Sequence, residues 1–445
     1  MTDNRPSRRT IVAGSAAAAS AMVAAPFVRT AHAAGSLSVG LWDHWVPGAN
    51  AETEKLVKAW AEKEKVDVKI DFITSQGNKL LLTVVAQAQA KSGYDVIFLP
   101  SWLTSRHHEV LEPVDDLMAE LIKENGDVSS VSQYLGRIKG VWYAVPATMG
   151  AQMKGPSTRI DLMKQHAGLD FQEMYPAGGP PKADAWTYDA MLKAAEACHK
   201  AGVPIGIGLG TTADSVDTAG AIFAAFGATL VDEKEKITVK TDTVRQALDY
   251  CKRLFAFLPA DAPAWDDASN NKLFVAGKTA MIMNPPSAWA VAVRDAPAIA
   301  AQTWHHPMPV GPKGRYASFL QPFLGVWSFS KNKSAGKSLL RHMGSRASAE
   351  SMVNGSKGYD IPPFAKFKNF SAWSEIGPPK GTLYHYPDPH GHQILAVSAM
   401  PSPHHIAERI YYQAVMTKMI VRHGQGEAME KTLAWAESEI EGFMR

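Results

Sequence analysis

The sequence predicts an α/β protein built as two domains, and three observations carry that prediction. Strand and helix patterns alternate over residues 37–99, the signature of a parallel sheet with helical crossovers. The alternation resumes after about residue 160. A chain of 445 residues, 46% hydrophobic and 20% charged, is too long for one simple core and globular in composition.

The elements follow in order. Leu37–Leu41 reads as a strand ending at Trp42-Asp43-His44-Trp45. Ala51–Lys65 has helical spacing, with Leu56, Val57 and Trp60 on one side. Val66–Ile73 alternates Val66, Val68, Ile70 and Phe72, the period of a half-buried strand. Asn78–Lys91 is a second helix, and Tyr94–Leu99 a short apolar run that suits a buried parallel strand. Ile160–Ala167 reads as helical, 171–184 as a Pro/Gly-rich loop, and Trp186–Ala201 as a helix opened by Thr187. Pro204–Leu209 is a short strand, and Ala219–Phe226 and Thr243–Phe257 are helices. Strands at Thr279–Asn284 and Gly325–Ser330 precede helices through Met352, and Ile406–Arg422 and Ala428–Phe443 are closing helices.

Residues 1–33 read as an export address. Arg8-Arg9 precede an alanine-rich apolar stretch that ends at Ala31-His32-Ala33, which has the order of a signal peptide. The arginine pair and the weakly apolar middle resemble a twin-arginine signal. Cleavage near Ala34 and a periplasmic location are expected. The segment holds four arginines and one aspartate, which leaves 42 basic and 42 acidic residues in the remainder. A neutral body has no electrostatic footprint for nucleic acid.

Ligands of parallel α/β sheets gather beyond the carboxyl ends of the strands. Those ends are Trp42, Asp43, His44 and Trp45, then Thr74-Ser75-Gln76, then Ser101 and Trp102. Tryptophans there suit a hydroxyl-rich ring, whose C–H face packs on an indole while its hydroxyls need fixed partners. Thr211 after the glycine-rich strand either reaches a ligand or caps a helix. Cys198 and Cys251 form a disulfide or remain two buried thiols.

Several local motifs resemble one family. Gly140-Val141-Trp142-Tyr143-Ala144-Val145-Pro146 is similar to its G-x-x-Y-x-x-P crossing strand. The run Asn271–Met281 matches its F-x-x-G-K-x-A-M segment, Pro307-Met308-Pro309 with Gly311 a P-x-P-x-G stretch, and Tyr411-Tyr412 its C-terminal aromatic helix. In this order the chain resembles extracellular solute-binding proteins of the maltodextrin and glycerol-phosphate type, periplasmic receptors of ABC importers.

The resemblance implies a type II, venus-flytrap fold whose two lobes close on a small solute, a sugar, oligosaccharide or polyol. It implies a membrane permease as partner, a monomeric state and no cofactor. Lobes are expected at 34–146 with 280–345 and at 147–279 with 346–445, crossing near Pro146, Thr279 and Ser345. The resemblance adds Gln76, Thr148, Asn284, Trp289, Gly325, Tyr359 and Arg409 to the expected ligand contacts. The Tyr384–His392 loop has no assignable counterpart.

Other functions find less support. The histidines His107-His108, His305-His306, His390-x-His392 and His404-His405 suggest metal, but adjacent histidines on a helix diverge and no carboxylate cluster or C-x-x-C accompanies them. A polyamine needs carboxylates beside the aromatics. A catalytic role lacks a G-x-S-x-G, H-E-x-x-H or P-loop motif, and Asp266-Asp267 reads as a solvated turn.

Overall fold

Two separate β-sheets, each flanked by helices, organise the molecule in two lobes. The computed structural model describes residues 35–176, 185–284, 286–373 and 394–445; the expected export segment and the Tyr384–His392 loop lie outside them.

In the first sheet Asp67–Ile73, Ser36–Trp42 and Val96–Leu99 run parallel, followed by Phe323–Val326 and Val145–Pro146. Register places Val39 beside both Ile70 and Val96, and the strand alternation read from the sequence puts Val68, Ile70 and Phe72 on one half-buried face. Ala49–Glu64 covers that face with Val57 and Trp60. The second sheet orders Thr303–His305, Pro156–Arg159, Met281–Met283 and Ile205–Gly206. Over it lies Tyr188–Lys200, whose cap Thr187 accepts the Ala190 N–H at 3.1 Å. Between the two, Gln152–Lys154, Tyr316–Leu320 and Ile394–Ala396 form a third, small sheet.

That third sheet relocates one expectation. Met281–Met283, expected at the return crossing, instead lies inside the second sheet between Pro156–Arg159 and Ile205–Gly206. The chain returns through Tyr316–Leu320, which feeds Phe323–Val326 of the first sheet. Likewise Arg346–Gly355 packs on Ala49–Glu64 of the first lobe, where Ser351 hydrogen-bonds Glu52.

Other differences are local. The expected helix 406–422 is two helices, His404–Tyr412 and Val415–Gly424, parted by Ala414 at φ 51°. Cys198 and Cys251 are both free and buried; burial pushes the Cys198 thiol up to about 11 and the Cys251 thiol higher. Neither is a reactive thiolate.

Candidate functional site

A cavity of about 450 Å³ lies between the carboxyl ends of the first sheet, the crossing strands and the second lobe. Trp42, Trp45, Ser75, Gln76, Phe98 and Ser101 line one side. Thr211, Thr212, Asp214, Trp265, Asp266 and Asp267 line the other. Gln152, Lys154, Leu320 and Pro322 come from the crossing, and Tyr411 and Tyr412 from the end of a late helix.

The first-lobe wall follows from its strands. Trp42 ends its strand, stacks on Phe98 at 6.0 Å and points its indole Nε1 at Ser75 Oγ, 3.4 Å away. Ser75 and Gln76 sit in a tight turn that needs left-handed backbone at Gly77 and Asn78, φ 60° and 59°. Gly150 closes this wall from behind. Its φ is +77°, and a Cβ there would lie 3.0 Å from Trp42 Cε3 and 3.1 Å from Phe98 Cζ. Only glycine lets the crossing backbone approach the indole that closely.

The second-lobe wall is a helix start and a turn. Thr212 caps Ala213–Ala225, its hydroxyl accepting the Ser215 N–H. The free Asp214 N–H of that first turn binds Asp267 Oδ1 at 3.1 Å, which draws the Trp265–Asp267 turn over the helix N-terminus. Gly210 permits it, because a Cβ there would lie 2.3 Å from the Trp265 carbonyl oxygen. Asp267 is therefore a half-buried carboxylate tied to the helix start, not the solvated turn expected, whereas Asp266 stays outward on Ser269.

A lysine anchors the floor. Lys154 is 1% exposed and its Nζ hydrogen-bonds Asp214 Oδ1; Asn270 Nδ2 donates to Asp214 Oδ2 at 3.0 Å. The Asp217 and Asp267 carboxylates also face Lys154. Burial pulls the Lys154 ammonium below its ordinary value, and those two carboxylates oppose the shift. Asp217 is fully buried, and no hydrogen bond of normal geometry reaches either of its oxygens among the described residues. Burial lifts its carboxyl to about 6, against the opposing pull of Lys154 and the nearby Ser318 and Tyr411 hydroxyls. Asp267 is raised for the same reason.

A pH dependence follows. A carboxyl raised from 3.8 to about 6 in the fold binds protons that the unfolded chain has already released, so it lowers stability as pH rises through that window. Asp217→Asn should remove that fall. Urea denaturation at pH 4 and pH 7 measures it: the variant gains on the wild type at the higher pH, and parallel curves would refute the assignment.

Of the fourteen residues expected at the site, Trp42, Trp45, Gln76, Ser101 and Thr211 line the cavity. The others do not line it. Asp43 accepts from Asn50 Nδ2 at 2.7 Å on the outside. His44 is buried: its Nδ1 accepts the Val46 N–H, so its Nε2 donates to Asp360 Oδ1 at 3.0 Å. That same Asp360 oxygen accepts the Gly150 N–H at 2.8 Å, which joins the first strand, the crossing and the segment after Gly355. Tyr359 stands edge-on to His44 at 4.9 Å, one layer behind Trp42.

Trp102 is fully buried against Tyr134 and Tyr411. Thr148 is buried in the crossing, its carbonyl accepting the Ala151 N–H. Asn284 Nδ2 donates to Asn271, and Trp289 sits in the core on Ser287–Asp295. Gly325 faces Ile97 in the first sheet, where a Cβ would lie 2.8 Å from Leu99 Cδ1. Its glycine serves packing. Arg409 Nη1 donates to the Phe443 carbonyl.

Sequence reasoning missed Gln152, Lys154, Asp214, Asp217 and Asp267. Lys154 stands in the short strand Gln152–Lys154, whose sequence carries no apolar pattern to mark it as buried. Among the described residues no cluster of three or more His, Cys, Asp or Glu is arranged to hold a metal ion. No helix among them is long and apolar enough to cross a membrane.

Residues 55–377 match the model of the family of bacterial extracellular solute-binding proteins. A Deinococcus radiodurans protein described as a probable ABC transporter-binding protein is 24% identical over 305 residues, 66% of this chain and 68% of its own. The maltose-bound MalE3 of T. maritima superposes with a TM-score of 0.72 at 16% identity, covering 92% of this chain and 99% of that one. An ABC transporter solute-binding protein of Thermotoga lettingae, bound with α-D-tagatose, gives 0.70 at 18% over 92% and 100%. A sugar transporter of Arthrobacter chlorophenolicus with bound laminaribiose gives 0.70 at 13% over 92% and 99%. With the family match spanning most of its length, and two lobes around one cavity, this chain belongs to the bacterial extracellular solute-binding proteins.

Proposed function

We propose that the protein is the exported, periplasmic receptor of an ABC importer and captures a carbohydrate or polyol-type solute between its lobes. Tryptophans from both lobes, Trp42 and Trp45 against Trp265, face one cavity whose floor is polar. This is the observation that carries the reading. Indole faces take the apolar faces of a sugar ring, and burying roughly 100 Å² on one contributes about 2.5 kcal/mol. The names of the similar proteins, with maltose, tagatose and laminaribiose, point the same way.

In this reading the lobes comprise roughly 36–147 with 321–373 and 155–314 with 397–445, joined at Gln152–Lys154 and Tyr316–Leu320. Ligand contacts available only in the closed form shift a hinge equilibrium towards it. A membrane permease then receives the solute. The receptor works as a monomer without a cofactor or catalysis, and residues 1–33 direct twin-arginine export.

Calorimetric titration with maltose, laminaribiose, tagatose and glycerol tests the reading. At least one binds, and Trp265→Ala weakens it tenfold or more, the loss of about 1.4 kcal/mol. Trp45→Ala acts in the same direction. Small-angle scattering shows compaction with that ligand. Unchanged affinity in both variants would remove the cleft from the mechanism.

A further inference from the structure

We propose that the cleft selects a hydroxylated solute carrying a protonated amine and rejects phosphorylated or carboxylated ones. This rests on the carbohydrate reading above and narrows its substrate class.

Among the described residues that line the cavity, Lys154 is the one cation, against Asp214, Asp266 and Asp267, with Asp217 close behind. Lys154 is already committed to Asp214. No arginine, histidine or second lysine among those lining residues remains to receive a phosphate. An anion entering here would bring its charge against an acidic surplus, out of water and without a partner, which is strongly unfavourable. The surplus is local, because the chain beyond residue 33 is neutral.

The hydrogen-bond inventory gives the same answer independently. Gln152, 5% exposed, has an Oε1 without a donor. The hydroxyl of Ser101, also buried, has no partner among the described residues, whereas that of Tyr411 faces Asp217. Buried polar atoms left open in a cavity wall mark places that a ligand completes. Both Asp214 oxygens are occupied, by Lys154 and Asn270, and Asp266 is held by Ser269 and the Ala268 N–H. Asp267 has Oδ1 on the Asp214 N–H and Thr212 beside it, and a carboxylate accepts up to four hydrogen bonds. Open acceptors thus concentrate at Asp267 and Gln152, and an ammonium supplies three donors with the matching charge. Trp265 and Tyr412 line the same cavity, and aromatic rings attract a cation.

The test is calorimetric titration of the purified full chain at pH 7 with matched probes: D-glucosamine against D-glucose, chitosan disaccharide against cellobiose, then D-glucose 6-phosphate and putrescine. At least one aminated saccharide should bind ten times or more tighter than its neutral partner, and the phosphate should not bind. In Asp267→Asn the preference should shrink to threefold or less, with circular dichroism as the control for folding and Asp261→Asn, an exposed acid outside the cavity lining, as the control for general charge. Equal or tighter binding of the neutral sugar, or binding of the phosphate, overturns the amine proposal and leaves the carbohydrate reading standing. Binding of putrescine with no saccharide overturns the carbohydrate reading and supports the amine site. Silence with every amine overturns the proposal.

Discussion

Lys154→Met should destabilise the protein by about 3–5 kcal/mol at pH 7, the usual cost of removing one partner of a buried ion pair. The methionine fills much the same volume, so the effect is electrostatic. Asp214, Asp217 and Asp267 would face one another with no cation between them. Their remaining remedy is protonation, towards which burial already pushes Asp217 and Asp267. The deficit should therefore shrink on lowering the pH from 7 to 5, because protons relieve the variant more than the wild type. Adding Asp214→Asn should restore part of the loss, a coupling that a double-mutant cycle measures. Urea denaturation supplies the numbers, and a loss below about 1 kcal/mol at pH 7 would contradict the buried placement of the cluster.

Trp102→Ala should cost about 3–5 kcal/mol as well, for a different reason. The ring is fully buried between Tyr134 and Tyr411, and its removal opens a void that rigid neighbours fill only partly. Affinity should fall less than in Trp265→Ala, because Trp102 reaches a ligand only by supporting Tyr411. The two variants separate packing from contact when melting and titration are measured on both. A Trp102→Ala protein of unchanged stability would contradict its placement.

Reading the sequence located the first-lobe wall because one rule sufficed there. Residues just past the ends of parallel strands lie where the cavity opens, and Trp42, Trp45, Gln76 and Ser101 line it. The same rule overreached by one position at Trp102, which is buried against Tyr134 and Tyr411 rather than lining the cavity with Ser101. Thr148, Gly325 and Tyr359, expected from resemblance, occupy the layer behind the cavity, where they hold backbone and rings in place.

The charged floor was not legible. Lys154, Asp214 and Asp267 are separated by about fifty to sixty residues each, and neither periodicity nor local spacing encodes that meeting. It depends on the crossing strand and on a helix N-terminus attracting a distant turn. The break at Ala414 was equally silent, since no glycine or proline marks it. Strand and helix positions came through better, because each depends on a local repeat of apolar residues.

The cavity wall is drawn from segments as early as Trp42 and as late as Tyr412, and this has a consequence for biosynthesis. Chains grow from the amino end, and early domains begin to fold while later residues are still being added. Here the first-lobe wall is translated well before Tyr411, and Trp102 waits three hundred residues for the second of the two rings that cover it. The nascent chain therefore has no complete site. The cavity is complete only once Tyr411 and Tyr412 have been added.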